Sequence, residues 1–417
     1  MKRNRWFIAL AAVGLHISIG SVYAWSVLAR PVMEEMGVTL SEATWAFSIA
    51  ILFLGLSAGF LGHFVERMGP RRSGLLSAGF FCAGLLGTAW AVETKSLGLL
   101  YLSYGFIGGI GLGTGYITPV ATLVKWFPRN RGFATGLAIM GFGFAAFVAG
   151  PAMQALTAAY GLFWNFVIMA AVYALVMSLS ALYLAPPRPG DLGEDLAGVL
   201  KEELAAGAPL PERKQYTRRE ALRTPEFYGL WLIFFINITC GIGLLAVASP
   251  MAQEVIGMTA GGAASLVGII GIVNGAGRIL WSSMSDWLGR GTVYLLFCTM
   301  EVFAFWQLAG TTDASAFAAW VLLIISCYGG GFSCMPAYLS DLFGVRHLSS
   351  IHGVILTAWG MAGIAGPLLL SLMKETTGGY GATLRLFAGL LALAWLLAAW
   401  LYTRRKKCAA LPAGDEA

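Results

Sequence analysis

Charge is what this chain has least of. Only 12% of its 417 residues are Asp, Glu, Lys or Arg, against about 25% in ordinary soluble domains. With 58% hydrophobic residues, too little polar surface remains to coat a water-soluble fold, so the composition is that of a polytopic membrane protein. Histidine is scarce, at four. Of the six cysteines, Cys82, Cys240, Cys298, Cys327 and Cys334 fall in apolar runs and Cys408 near the C-terminus. Neither an extracellular disulfide framework nor a metal site is expected. The glycine-rich stretch 108–113 lies inside an apolar run; it permits close helix contact rather than cradling phosphate. No catalytic constellation and no nucleotide motif is present, so the expectations are no enzyme, no ATP-driven pump and no cofactor.

What is present is a succession of apolar runs, each near the roughly 20 residues that cross a bilayer. They fall at 6–30, 43–66, 73–92, 97–126, 132–158, 163–185, 226–253, 261–287, 291–309, 315–342, 348–373 and 383–403. The predicted fold is all-α with twelve transmembrane helices in two six-helix halves. The predicted domains are 1–185, a polar linker 186–225 with a short amphipathic helix at 192–204, a second bundle 226–403, and a tail 404–417. The first run is basic-flanked like a signal peptide but long for one, and it is kept as a span. The net charge of +6 is no nucleic-acid signal, because Lys and Arg gather at alternate helix ends. With a cytoplasmic N-terminus, only Arg30, Lys95, Lys374 and Arg385 fall outside. The positive-inside rule then puts both termini in the cytoplasm, and the expected location is a bacterial inner membrane.

One basic residue escapes that pattern. Arg278 lies inside the eighth run, with Asn274 one turn before it and no acid within a helical turn. An arginine at the bilayer centre costs roughly 2.5–3.5 kcal/mol on insertion scales. Every acid except Glu301 sits near a helix end or in a loop. We read Arg278 as holding the carboxylate of a small transported acid, its planar fork suiting two oxygens; an acid from another helix is the alternative partner. Asn274 shares its helical face and either orients the guanidinium, bonds a 2-hydroxyl of the acid, or makes a helix–helix hydrogen bond. Tyr116 of the fourth span, and Tyr328 and Phe332 one turn apart in the tenth, either wall such a site or pack ordinarily.

The two halves look duplicated. Glu66, Gly69 and Arg71 close the second span as Asp286, Gly289 and Arg290 close the eighth. Ala149-Gly150-Pro151 recurs as Ala365-Gly366-Pro367, and Pro119 as Pro336, at nearly the same separation. This pattern resembles the major facilitator superfamily over the whole chain. The resemblance implies a cavity lined by spans 1, 4, 7 and 10, with 3, 6, 9 and 12 outside. It also implies a gate latch made of Glu66, Arg67, Arg71, Asp286 and Arg290, the acids pairing with loop arginines or capping helix ends.

The first span, from His16 to Val27, and the stretch Trp126-Phe127-Pro128-Arg129-Asn130-Arg131-Gly132-Phe133-Ala134-Thr135-Gly136 resemble the monocarboxylate transporters. Chain length and short termini look more like the oxalate/formate antiporter branch. The resemblance supports aromatics on spans four and ten caging the anion, and adds Leu28, beside the family's lysine position. There are departures. Val27 stands where animal members have that lysine, and Asn274 stands where they have Asp. No Lys or Arg occurs from Ser349 to Met373, where the oxalate antiporter has a second cation. One fixed cation suits one carboxylate, because a second would stay unpaired at low dielectric. The expected activity is therefore proton-coupled symport of a monocarboxylate such as L-lactate or pyruvate, by a monomer in the lipid bilayer. Organic-anion exchange and a non-transporting acid sensor are the alternatives. His16 and Glu301 are the candidates for the proton, each with an ordinary structural reading beside it.

Overall fold

The computed structural model describes residues 3–188, 191 and 215–410. Among these the regular structure is entirely helical. The order is α1 (Arg5–Ile19), a 3-10 turn (Gly20–Ala24), α2 (Trp25–Met36), α3 (Leu40–Glu93), α4 (Leu97–Leu100), a π-helical stretch (Tyr101–Ile107), α5 (Gly108–Trp126) and α6 (Arg131–Tyr183). After the linker come α7 (Arg218–Ala221), α8 (Pro225–Ile256), α9 (Ala260–Leu288), α10 (Arg290–Leu308), α11 (Ala314–Phe343), α12 (Leu348–Thr377) and α13 (Gly381–Ala410). The linker helix expected at 192–204 lies outside the described residues.

Ten of the described helices are long and apolar enough to cross a membrane. Two of them, 52 and 53 residues long, exceed what one bilayer needs. Each holds a single non-helical residue, Gly69 (φ 76°, ψ 167°) and Gly161 (φ 80°, ψ 170°). Such backbone strains any residue with a Cβ. The second and third expected spans therefore meet at a glycine bend in α3, and the fifth and sixth at one in α6. Gly289, between α9 and α10, has φ 83° and ψ 145°. Gly69 and Gly289 follow their acids by the same interval, and both take backbone that favours glycine.

Helix starts follow side-chain capping. Thr39 and Glu42 form a reciprocal capping box, Thr224 caps α8 with Pro225 behind it, and Thr259 and Asp313 cap α9 and α11. Each cap stabilises by about 1 kcal/mol. The expected tail from 404 is still helical to Ala410. Arg404 explains its first turn: its Nε is 2.8 Å from Glu226, and its guanidinium lies over the Trp400 ring.

The two halves meet where side chains are smallest. α3 lies along α12, and α6 along α9. A Cβ on Gly55 would stand 2.9 Å from Gly360 Cα, and one on Gly143 only 2.8 Å from Gly275 Cα. Close backbone approach of this kind replaces the hydrophobic drive that helices lack in lipid. α9 shows the resulting sidedness: Leu280 is 62% exposed, whereas Arg278 is 0% exposed.

Candidate anion-binding site

Arg278 lies midway along α9, wholly buried. Its Nε donates to Asn274 Oδ1 at 3.2 Å, one turn earlier on the same face. Nη1 donates to the Ile139 carbonyl of α6 at 3.3 Å, and Nη2 has no partner. The guanidinium lies 5.0 Å from the Phe332 ring centroid and 5.8 Å from that of Phe142. No carboxylate among the described residues pairs with it. Two glycines make the room: a Cβ on Gly143 would stand 3.2 Å from Arg278 Nε, and one on Gly329 2.9 Å from Asn274 Oδ1.

Aromatic rings from both halves close around this group. Trp359 of α12 meets Phe332, Tyr116 and Phe142 at centroid distances of 4.7, 5.2 and 5.5 Å, all edge to face. Tyr23 of the 3-10 turn meets Phe142 at 5.0 Å, and its hydroxyl lies 3.4 Å from that of Tyr328. Tyr328 meets Phe332 at 5.2 Å. Such contacts favour tilted geometries and exclude water. His16 donates from Nε2 to the Tyr116 carbonyl at 3.1 Å and packs against the Tyr116 ring at 5.1 Å. His352 approaches the same ring at 6.1 Å from α12.

Five buried polar atoms of this connected group have no partner: Arg278 Nη2, Tyr116 Oη, Trp359 Nε1, His16 Nδ1 and His352 Nε2. Buried polar groups are normally satisfied, and each unsatisfied one costs about 1–3 kcal/mol. Four of these five can donate. They belong to the ring cluster that packs on Arg278 through Phe142 and Phe332, and unpaired donors beside a guanidinium match the chemistry of a small anion with several oxygens.

Of the residues expected from sequence, Arg278, Asn274, Tyr116, Tyr328, Phe332 and His16 are brought together here. Leu28 is buried in α2. Glu301 is engaged elsewhere. It is fully buried although its span was expected outside the bundle, and both its oxygens accept from Asn237 Nδ2 of α8, at 2.9 and 2.8 Å. Sequence reasoning missed Tyr23, Phe142, His352 and Trp359. One signal was available: His352 and Trp359 lie two helical turns apart and so share a face.

The expected latch residues divide into two unlike sets at the basic end. Asp286 caps α6, accepting from the backbone of Gly132 and Phe133 at 2.9 Å each, and pairs with Arg290 at 2.5 Å. Arg290 also bonds Ser285 and, at 3.2 Å, Asp341, which lies 3.7 Å from Arg131. Among the described residues no arginine pairs with Glu66. Its partners are His347 Nδ1 at 3.1 Å and Ser350 Oγ at 3.0 Å, at the start of α12. The reason is local. Pro70 occupies the place that Arg290 takes in the second copy, and Arg67 and Arg71 are exposed, with no ion pair among the described residues.

The Major Facilitator Superfamily profile matches residues 7–367. The chain belongs to this superfamily. A curated relative within it, the oxalate:formate antiporter of Oxalobacter formigenes, is 28% identical over 366 residues, spanning 87% of this chain and 83% of that one. Human monocarboxylate transporter 14 is 23% identical over 453 residues, spanning 90% and 86%. Among solved structures, the Escherichia coli fucose:proton symporter superposes with a TM-score of 0.72 at 15% identity, over 96% of this chain and 99% of that one. That last likeness is one of fold. As a superfamily member the chain is a multi-pass membrane transporter rather than an enzyme.

Proposed function

We propose that the chain carries a small monocarboxylate, of the L-lactate or pyruvate class, together with a proton by alternating access. In this reading the bends at Gly69 and Gly161 divide α3 and α6, giving twelve spans. Halves 1–185 and 226–403 rock about the site, joined by 186–225. The basic end faces the cytoplasm of a bacterial cell, both termini lie there, and a monomer suffices. One observation carries the reading: a fully buried guanidinium with a bare Nη2 and no acid partner. A bound carboxylate supplies that missing charge, and only the neutralised site closes without leaving a charge stranded at low dielectric. Asn274, Tyr116, Tyr328 and Phe332 orient the anion and wall its aliphatic end, with Leu28 further out. His16, beside Tyr116, and Glu301, on Asn237, are the candidate proton groups.

The test is uptake of labelled L-lactate by proteoliposomes, with and without an imposed pH gradient. Arg278→Gln and Arg278→Lys are each expected to reduce uptake at least about 30-fold, since truncating one partner of a buried charge pair costs about 2–5 kcal/mol. Wild-type uptake in Arg278→Gln ends the proposal. Likeness to the oxalate:formate antiporter favours exchange as the second reading. Counterflow that persists without a pH gradient and stops without internal substrate selects it.

A further inference from the structure

A cavity of about 50 Å³ lies at the basic end, apart from the ring cluster. It sits where the Gly69 bend of α3, the last turns of α5 and the start of α12 meet, and its polar lining is Glu66, Ser73, Thr118, Thr122, Lys125 and Ser349. One ordered water needs about 10–15 Å³ of such space, so the cavity has room for a few waters while this end is closed. Lys125 is the one cation of this lining. It is half-buried, and no hydrogen bond or ion pair holds it among the described residues. The acid facing it is Glu66, whose two oxygens are taken up by His347 and Ser350 at the start of α12. Thr118 and Thr122 donate to carbonyls one turn back in α5, at 2.7 and 2.8 Å. Those carbonyls also serve the helix's own N–H ladder, so each hydroxyl can turn its proton to a ligand at small cost. Two walls of the cavity continue into the Arg278 site. On α5, Tyr116 lies nine residues before Lys125, about 14 Å along a helix. On α12, Ser349 lies three residues before His352 and so shares its side.

We propose that this cavity is a second anion station, on the path between Arg278 and the basic end, where a small carboxylate pairs with Lys125 while Thr118 and Thr122 donate to its oxygens. The proposal rests on the carboxylate-transport reading and deepens it. α12 walls the cavity with Ser349 and holds Glu66 across it. When the halves part at this end, that wall leaves α5 and the cavity opens toward Tyr116. An anion released from Arg278 then meets Lys125, the cation of α5, before it reaches water. Glu66 sets the strength of the station. A lysine with no acid near it would hold the anion firmly. Glu66 offsets part of that charge, so the acid is held weakly and leaves. A path conducts when each site binds well enough to be entered and weakly enough to be left.

The experiment is L-lactate binding to the purified full chain, read by NMR saturation transfer to the lactate methyl group, which detects weak sites. Arg278→Gln removes the strong site and is expected to keep a weak one that fades with added salt, because a half-exposed pair is screened. In that background Lys125→Gln is expected to raise the Kd at least about tenfold, the loss of one charge-assisted hydrogen bond. Lys125→Arg is expected to preserve binding, and Glu66→Gln to tighten it. A merely structural role for Lys125 and Glu66 would not give the two Gln variants opposite signs. Lactate binding by the wild type but not by Arg278→Gln overturns the proposal. So does weak binding that is indifferent to Lys125→Gln, or that Glu66→Gln weakens. Should the variant with Lys125→Gln not fold, Lys125→Met, which keeps a long apolar stem, replaces it. A wild type that neither binds nor takes up lactate is a different result: it removes the carboxylate reading itself.

Discussion

Two arginines close together in sequence are both buried, and they have opposite surroundings. Arg290 touches Asp286, Asp341 and Ser285. Arg278 donates to one amide oxygen and one carbonyl and otherwise faces neutral aromatic side chains, with no carboxylate partner among the described residues. Burial of charge is common to both. The difference lies in what neutralises it: for Arg290 the partners are part of the fold, and for Arg278 none is. A buried cation is thus a pointer to function only when the protein withholds its counter-ion.

The comparison breaks most visibly if Arg290 is removed. Arg290→Gln leaves Asp286 with only its backbone donors Gly132 and Phe133 and Asp341 with Arg131, and loss of one partner from a buried pair costs about 3–5 kcal/mol. A large fall in thermal stability of the purified protein is the expected reading. Arg278→Gln is the opposite case. Uptake collapses, but thermal stability is expected to hold or rise, because the charge removed had no partner. A stability loss as large as that of Arg290→Gln would show that a fixed partner does exist.

Glu66→Gln tests the weaker of the two acid clusters. It loses the His347 pair but keeps a Ser350 bond, and a partly exposed pair contributes at most about 1 kcal/mol. The uptake rate is expected to change less than about fivefold. The smallest effect belongs to the opposite end, where Lys374 and Tyr380 hold the Glu254 carboxyl below its usual range. That contribution is present above the ordinary carboxylate value and is lost as pH falls through the lowered one. The pair is exposed and screened, so Lys374→Ala is expected to leave thermal stability unchanged between pH 5 and 8.

Much of this was legible from the residues alone. Apolar runs marked the spans because only helices satisfy their own backbone in lipid. Arg278 could be recognised as unpaired because almost every acid sits at a helix end, too far along its own helix to reach mid-membrane. Asn274 followed from helical spacing. The pairing of the acids in the two loops was half legible. Asp286 and Arg290 sit one turn apart and do pair, whereas Glu66 turned to His347, a residue far away in the chain. The peripheral placement of Glu301's helix gave no hint of its bond to Asn237.

Sequence by itself therefore determined the all-helical class and the isolated guanidinium, each being set by composition or by contacts within a turn or two. Tertiary structure decided which rings and imidazoles surround that guanidinium. Phe142, Trp359 and His352 come from α6 and α12, and which faces of those helices meet depends on where glycines let two backbones touch. That choice is made by packing between distant segments, and no local period records it.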